Sequence, residues 1–136
     1  MPGHKDWLKK AMGDLSSARK LTKDDDETLD NAAYCTQQCA EKALKAYLVY
    51  RQQSIPKTHD LEKLLDLCMK HDNTLKSLLE SAIDLNPYGV YSRYPDDRFF
   101  IDREEVVRAI EKAQKILRLV ESRIAEKSNP TLKIFD

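Results

Sequence analysis

The 136-residue chain contains little glycine, and its three glycines stand far apart at positions 3, 13 and 89. Glycine-rich phosphate loops and dinucleotide fingerprints need several glycines within a few residues, so neither can form here. The sequence also lacks a Cys-x2-Cys pair and a His-Glu-x-x-His motif, which leaves a zinc site without support. We therefore expect no metal and no cofactor, and no recognisable nucleophile–base pair points to catalytic residues.

Long apolar runs are absent as well, and none approaches the roughly 18 residues that a membrane-spanning helix needs. The N-terminal residues lack the uninterrupted apolar core of a signal peptide. Basic and acidic residues balance at 23 each, which argues against a basic field for non-specific nucleic-acid binding. Three cysteines, including Cys35 and Cys39 on one predicted helix, are expected to be buried thiols without a disulfide. These features predict a cytoplasmic protein that does not enter a membrane.

Apolar residues recur every three or four positions over most of the chain, which is the spacing of amphipathic helices. Few glycines and few β-branched residues disfavour strands. The pattern predicts helices at about 6–22, 27–53, 60–70, 75–85 and from 102 onward. Asp102 followed by Glu105 is a capping-box arrangement at the start of the last helix. We therefore predict an all-α fold, an antiparallel up-and-down bundle of four to five helices.

The length indicates one domain over residues 1–136. Its helical core is expected to occupy about residues 5–126, and residues 127–136 form a C-terminal tail. No internal repeat or low-complexity linker suggests a second domain.

A polar patch, PKTHDL, precedes the third predicted helix. Lys57 and His59 stand just before the helix N-terminus, where free backbone N–H groups attract anions. The alternative is that His59 and Thr58 cap the helix while Lys57 is solvated. The patch is therefore a candidate ligand site with a structural alternative.

A second patch, YGVYSRYPDDRFF at residues 88–100, holds five of the ten aromatic residues of the chain. Arg93 can bind a phosphate or carboxylate through two parallel hydrogen bonds. Tyr91 and Tyr94 offer rings on which a base can stack, and Asp96 can orient an arginine or accept from a base edge. Alternatively, the aromatic rings close the end of the bundle and the arginines pair with the aspartates.

Three segments carry a resemblance to a known family: AAYCTQQCAEKALKAYLV in the second helix, then PKTHDLEKLL, then VYSRYPDD. With an amphipathic closing helix, the chain resembles the HEPN domain family over about residues 5–125. The resemblance implies a short helical bundle, usually a homodimer, often encoded beside a minimal nucleotidyltransferase. Some such pairs act as toxin and antitoxin. Members are proposed to bind nucleotides, and a subset are metal-independent ribonucleases.

The ribonuclease subset carries an arginine followed, after four to six residues, by a histidine, and this sequence departs from that motif. Arg93 would need a histidine among positions 98–100, which hold Arg-Phe-Phe, and Arg51 precedes His59 by eight positions. Neither arginine nor phenylalanine can accept and donate a proton near neutral pH as histidine does. We therefore expect an interaction module rather than a nuclease.

The expected ligand is a nucleotide or another anion, and the expected partner is a nucleotidyltransferase. Under this hypothesis residues 88–100 form a rigid lip that presents Arg93 to a cleft, with Pro95 fixing the backbone. Two alternatives stay open, a metal-independent ribonuclease toxin with a non-standard active site and a ligand-free dimeric scaffold. The candidate ligand-binding residues are Arg93, Tyr94, Tyr91, Asp96, Lys57 and His59.

Overall fold

The computed structural model describes residues 2–23, 26–90 and 101–128, with side chains described as far as Ala125. Five α-helices follow one another within these ranges: α1 (His4–Lys23), α2 (Leu29–Tyr50), α3 (Leu61–Met69), α4 (Leu79–Leu85) and α5 (Arg103–Ser128). Three short 3₁₀ helices lie between them, at Asp26–Thr28, Asn73–Leu78 and Asn86–Gly89. The described ranges contain no strand. The prediction of an all-α fold is therefore confirmed.

Helices α1 and α2 form an antiparallel pair. The rings of His4 and Tyr50 meet edge to face with their centroids 5.2 Å apart, and Lys42 Nζ lies 2.7 Å from Asp14 Oδ2. Residue numbers therefore rise along one helix as they fall along the other. Alanines on both helices are buried at this contact, and such small side chains let helix axes approach closely.

Helices α4 and α5 are also antiparallel. Lys112 Nζ lies 3.0 Å from Asp84 Oδ2, and the Tyr88 hydroxyl donates to Glu105 Oε2 at 2.6 Å. Asp102 caps α5 as predicted, because its Oδ1 accepts from the Glu105 backbone N–H at 2.8 Å. The Glu105 carboxylate therefore ties the start of α5 to the turn that follows α4.

Helix α2 runs through the centre of the bundle and is buried on nearly all sides. Helices α1, α3 and α5 all pack against it. Its mainly apolar face is buried, at Leu29, Ala32, Ala33, Thr36, Cys39, Ala40, Ala43, Leu44, Tyr47 and Leu48. Three polar side chains of the same helix, Gln37, Glu41 and Lys45, are buried too. A central helix with a buried polar stripe needs hydrogen-bond partners for that stripe.

Two predictions about the extent of the helices are wrong. Helix α2 ends at Tyr50 rather than at position 53, and the fourth predicted helix is divided into Asn73–Leu78 and Leu79–Leu85. Asp72 explains where the divided segment begins, because its carboxylate accepts from the Thr74 backbone N–H. A tighter 3₁₀ start before an α-helix is common at helix N-termini.

The cysteines carry free thiols. Cys39 and Cys68 are buried, and burial raises the pKa of each to about 12, while Cys35 is half-buried. The buried pair therefore behaves as packing residues at neutral pH. In the described ranges, no helix combines the length and the apolar character needed to cross a bilayer.

Candidate functional site

A cavity of about 400 Å³ lies where the loop before α3 meets the 3₁₀ helix Asn86–Gly89. Its lining combines polar and apolar residues: His59, Asp60, Glu62, Ile83, Asn86, Pro87, Gly89 and Val90. Ile83 and Val90 are large apolar side chains that remain 46% and 55% exposed. A concave, partly apolar surface with a few polar groups is the usual form of a ligand site.

The imidazole of His59 is held at this cavity by a buried carboxylate on α2. His59 Nδ1 lies 3.1 Å from Glu41 Oε1 and 3.2 Å from Oε2. The Glu41 side chain is only 5% exposed, whereas that of His59 is 67% exposed. A carboxylate cannot donate, so Nδ1 carries the proton and Nε2 of the neutral ring keeps its lone pair. The pair therefore fixes both the orientation and the tautomer of His59.

Glu41 is the centre of a network on α2. Lys45 Nζ donates to Glu41 Oε2 at 2.9 Å, and Lys45 also lies 5.8 Å from the centroid of the Trp7 ring. Burial alone would raise the pKa of the Glu41 carboxyl, but the hydrogen bond and charge of Lys45, with hydrogen bonds from His59 and Gln37, lower it. Glu41 is therefore ionised in the folded protein at neutral pH.

The Gln37 side chain connects this network to the loop that carries His59. Its Nε2 donates to the His59 backbone carbonyl at 3.0 Å and to Glu41 Oε1 at 3.3 Å. Its Oε1 accepts from Gln38 Nε2 at 2.8 Å. Gln37 is fully buried, so these bonds replace the water that its amide lost on folding. The loop is thus fixed at its backbone by Gln37 and at its side chain by Glu41.

The N-terminus of α3 is already capped. Asp60 Oδ1 accepts from the backbone N–H groups of Glu62 and Lys63 at 3.0 and 3.4 Å, and Asn86 Oδ1 accepts from the Leu61 N–H at 2.9 Å. Asn86 Nδ2 in turn donates to Asp60 Oδ1 at 3.0 Å. Asp60 is therefore the cap, and the free N–H groups expected to attract an anion here are occupied.

The structure brings only part of the predicted site together. His59 lines the cavity, and Lys57 is exposed on the same loop. The other four candidates, Arg93, Tyr94, Tyr91 and Asp96, lie outside the described residues, as does the rest of the predicted lip from position 91 to 100.

Sequence reasoning missed Glu41, Gln37 and Asn86, which position His59 and close the N-terminus of α3. The signal was present as polar residues four apart at positions 37, 41 and 45 of a helix that is otherwise rich in alanine and leucine. Such a stripe on a central helix indicates a buried network rather than a solvated face. The described side chains include no group of three metal-ligating residues placed to hold an ion.

A larger open groove of about 990 Å³ runs along α1 beside Trp7, Lys9, Lys10 and Lys42. Lys42 is already paired with Asp14 at 2.7 Å, and Asp6 adds a second acidic group. The groove therefore has mixed charge, whereas the His59 cavity has a titratable group held by a buried partner. The latter is the better candidate site.

Comparison with known proteins supports the resemblance drawn from the sequence. The profile of the HEPN domain family matches residues 4–123. Two solved structures are similar: ST0689, an archaeal HEPN homologue, with 28% identity and a TM-score of 0.74, and TT1696 from Thermus thermophilus, with 31% identity and a TM-score of 0.79. The match with ST0689 covers 91% of this chain and 99% of that structure. The match with TT1696 covers 90% of this chain and 98% of that structure. No curated protein shows significant similarity. The chain belongs to the HEPN domain family.

Proposed function

We propose that this HEPN-domain protein is a non-catalytic module that binds a nucleotide, or a comparable anion, and that the His59 cavity forms part of the binding site. The single observation that supports this most is the exposed His59 ring, held by the buried Glu41 carboxylate at the edge of a cavity of about 400 Å³. A side chain fixed in this way costs little further entropy when it binds a ligand. Such pre-organisation favours recognition over a purely structural role.

In our proposal, Lys57 and Arg93 supply the positive charge that a phosphate needs. Lys57 precedes His59 by two residues on the same loop and is exposed. Arg93 follows the cavity residue Val90 by three residues, and three residues of chain span at most about 11 Å. The proposal therefore assigns Arg93 to the ligand phosphate, Tyr91 and Tyr94 to stacking, and Asp96 to orienting the arginine, as the sequence suggested.

The binding proposal is tested by titrating ATP into the wild-type protein, Arg93→Ala and His59→Ala in a calorimeter. We expect each substitution to weaken binding at least about tenfold, because each removes a hydrogen bond to a charged or fixed group. His71→Ala is the matched control, since His71 lies beyond the opposite end of α3. Equal affinities for wild type and Arg93→Ala would refute the assigned phosphate contact. Absence of binding in all four proteins would favour a ligand-free scaffold.

The partner in our proposal is a minimal nucleotidyltransferase, and the protein acts as a homodimer in a two-component system of the toxin–antitoxin kind. This part rests on the family resemblance. A neighbouring gene that encodes a nucleotidyltransferase, and co-purification of its product with this chain, are the expected results. A monomer by light scattering, or a neighbour of another class, would contradict it.

A second candidate function is ribonuclease activity with His59 in place of the missing histidine. The Glu41–His59 pair favours it, because a carboxylate on Nδ1 orients an imidazole for proton transfer at Nε2. The test is cleavage of a labelled RNA without metal, together with growth after induction. The nuclease hypothesis predicts cleavage and growth arrest that His59→Ala abolishes and His71→Ala retains. Intact RNA with the wild-type protein excludes it.

A further inference from the structure

The hydrogen-bonding groups of the His59 cavity are unevenly divided between donors and acceptors. Asn86 is the lining residue that carries an amide, and both ends of that amide are engaged, with the Leu61 N–H and with Asp60. The Val90 backbone N–H donates to the Pro87 carbonyl. Among the described lining residues, the remaining polar side chains are therefore acceptors: the carboxylates of Asp60 and Glu62, and the imidazole of His59.

Glu41 determines the acceptor role of His59. Its carboxylate lies within 3.2 Å of Nδ1 through both oxygens, so the proton of the neutral ring stays on that nitrogen. No described residue makes a hydrogen bond to His59 Nε2, which keeps its lone pair for a ligand. Because Glu41 is also bonded to Lys45 and Gln37, it cannot rotate away without breaking buried hydrogen bonds. Glu41 is thus a positioning residue for this nitrogen.

The described lining of this cavity disfavours a phosphate group. Two carboxylates and an acceptor nitrogen offer no described donor to a phosphate oxygen, and like charges placed together are costly. Hydroxyl groups suit this arrangement, since an acidic side chain on a ribose hydroxyl is a common recognition device in nucleotide sites. The partly exposed Ile83 and Val90 provide an apolar surface beside these acceptors for the face of the sugar.

We infer that the cavity binds the ribose hydroxyls of a nucleotide, with His59 Nε2 and Glu62 as their acceptors, and that the phosphates lie outside it. This inference rests on the proposed function and adds the orientation of the ligand. His59 then recognises the sugar, whereas Lys57, which is exposed on the same loop but does not line the cavity, is left for the phosphates.

The experiment compares the affinities of ATP, 2′,3′-dideoxy-ATP, inosine triphosphate and inorganic tripolyphosphate for the wild-type protein. We expect the dideoxy analogue to bind at least about tenfold more weakly than ATP, since it cannot donate to the fixed acceptors. Inosine triphosphate, which lacks the adenine amino group, should bind as ATP does. Tripolyphosphate should bind more weakly than ATP, because it has no sugar.

Glu62→Ala and the matched control Asp66→Ala distinguish a sugar contact from a general effect of charge. Both are exposed acids on α3, but only Glu62 lines the cavity. In Glu62→Ala, the ratio of the affinity for ATP to the affinity for the dideoxy analogue should fall below about threefold. Asp66→Ala should keep the wild-type ratio of affinities.

The outcomes separate this inference from the proposed function. If ATP and the dideoxy analogue bind wild type equally, the orientation is wrong while nucleotide binding stands. If inosine triphosphate loses more affinity than the dideoxy analogue, the cavity recognises the base, and the inference is overturned. If ATP does not bind at all, both proposals fail together.

Discussion

Gly89 lies so close to Gln37 that a Cβ atom at position 89 would stand 2.8 Å from Gln37 Cδ. The backbone at Gly89 does not have a positive φ, so space rather than conformation requires glycine here. Gln37 donates to the His59 carbonyl and to Glu41. A glycine on one side of the cavity therefore allows the buried network that holds His59 on the other side.

Gly89→Ala should lower the free energy of unfolding by about 1–3 kcal/mol, because the added methyl group must displace a buried, hydrogen-bonded amide. Urea denaturation measures the change. Gly13→Ala is the matched control: nothing lies within 4 Å of a Cβ at this exposed position within α1. Replacing this glycine should instead raise stability by up to about 1 kcal/mol. Similar effects at both positions would show that the Gln37 contact is not tight.

Acid should destabilise the protein in part through Glu41. Its pKa is lower in the folded state than the ordinary value of 4.5, so its contribution is present above that value and is lost as pH falls through the folded pKa. Glu41→Gln should therefore unfold with a shallower pH dependence below about pH 4.5. Asp60 has a lowered pKa as well. Burial acts to raise this pKa, but hydrogen bonds from Asn86 and from two backbone N–H groups lower it, so Glu41→Gln should keep some acid sensitivity.

At neutral pH, Glu41→Gln should cost roughly 1–3 kcal/mol, because Lys45 loses its charged partner. Urea unfolding between pH 7 and pH 3 checks both effects in one series. Parallel stability curves for wild type and Glu41→Gln would contradict the role assigned to this carboxylate.

Tyr88→Phe should lower stability by about 1 kcal/mol, since it removes the hydrogen bond to Glu105 but keeps the ring against the core. Tyr88→Ala should cost a few kcal/mol because it also removes the packing. Burial and the Glu105 carboxylate raise the pKa of Tyr88, so its contribution is present below about pH 10 and is lost as pH rises further. Thermal unfolding at pH 8 and pH 10.5 measures this loss of stability. If Tyr88→Phe lost as much stability between these two pH values as the wild-type protein, the assignment to Tyr88 would be contradicted.

Helix α2 ends through a left-handed residue, Gln52, with φ of 59°. The Gln53 N–H donates to the Leu48 carbonyl and the Gln52 N–H to the Val49 carbonyl, which is the hydrogen-bond pattern of a Schellman motif. Gln52→Gly should raise stability by up to about 1 kcal/mol, because glycine adopts this conformation without steric cost. Gln53→Gly is the neighbouring control and should not stabilise. Calorimetric melting of the three proteins gives the comparison.

The same residue shows why the sequence placed the end of α2 at position 53. Helix ends are read from glycine at the left-handed position, and here glutamine occupies it. Where apolar spacing was regular, as in α1 and α5, the predicted helices agree with the structure to within about two residues at the boundaries compared. The spacing of apolar residues thus predicted the helical bundle. The end of α2 was misplaced because its left-handed residue is not a glycine.

For the candidate site, the sequence could identify His59 but not what holds it. Glu41 precedes His59 by 18 positions, and only the packing of the loop against α2 brings their side chains together. Burial of Gln37 and Glu41 likewise depends on how many helices surround α2, which spacing along one helix does not reveal. The backbone N–H groups at the start of α3 are not free as the sequence suggested, because Asn86, 25 positions from Leu61, completes the cap.

The most direct test of the account is the nitrogen NMR spectrum of the histidine side chains during an ATP titration. The chain has three histidines, so His4 and His71 serve as internal references for His59. We predict that His59 shows a protonated Nδ1 before ATP is added, and that its Nε2 resonance shifts with ATP while both references stay unchanged. Saturable ATP binding that leaves His59 Nε2 unmoved, or a free protein with the proton on Nε2, would contradict it.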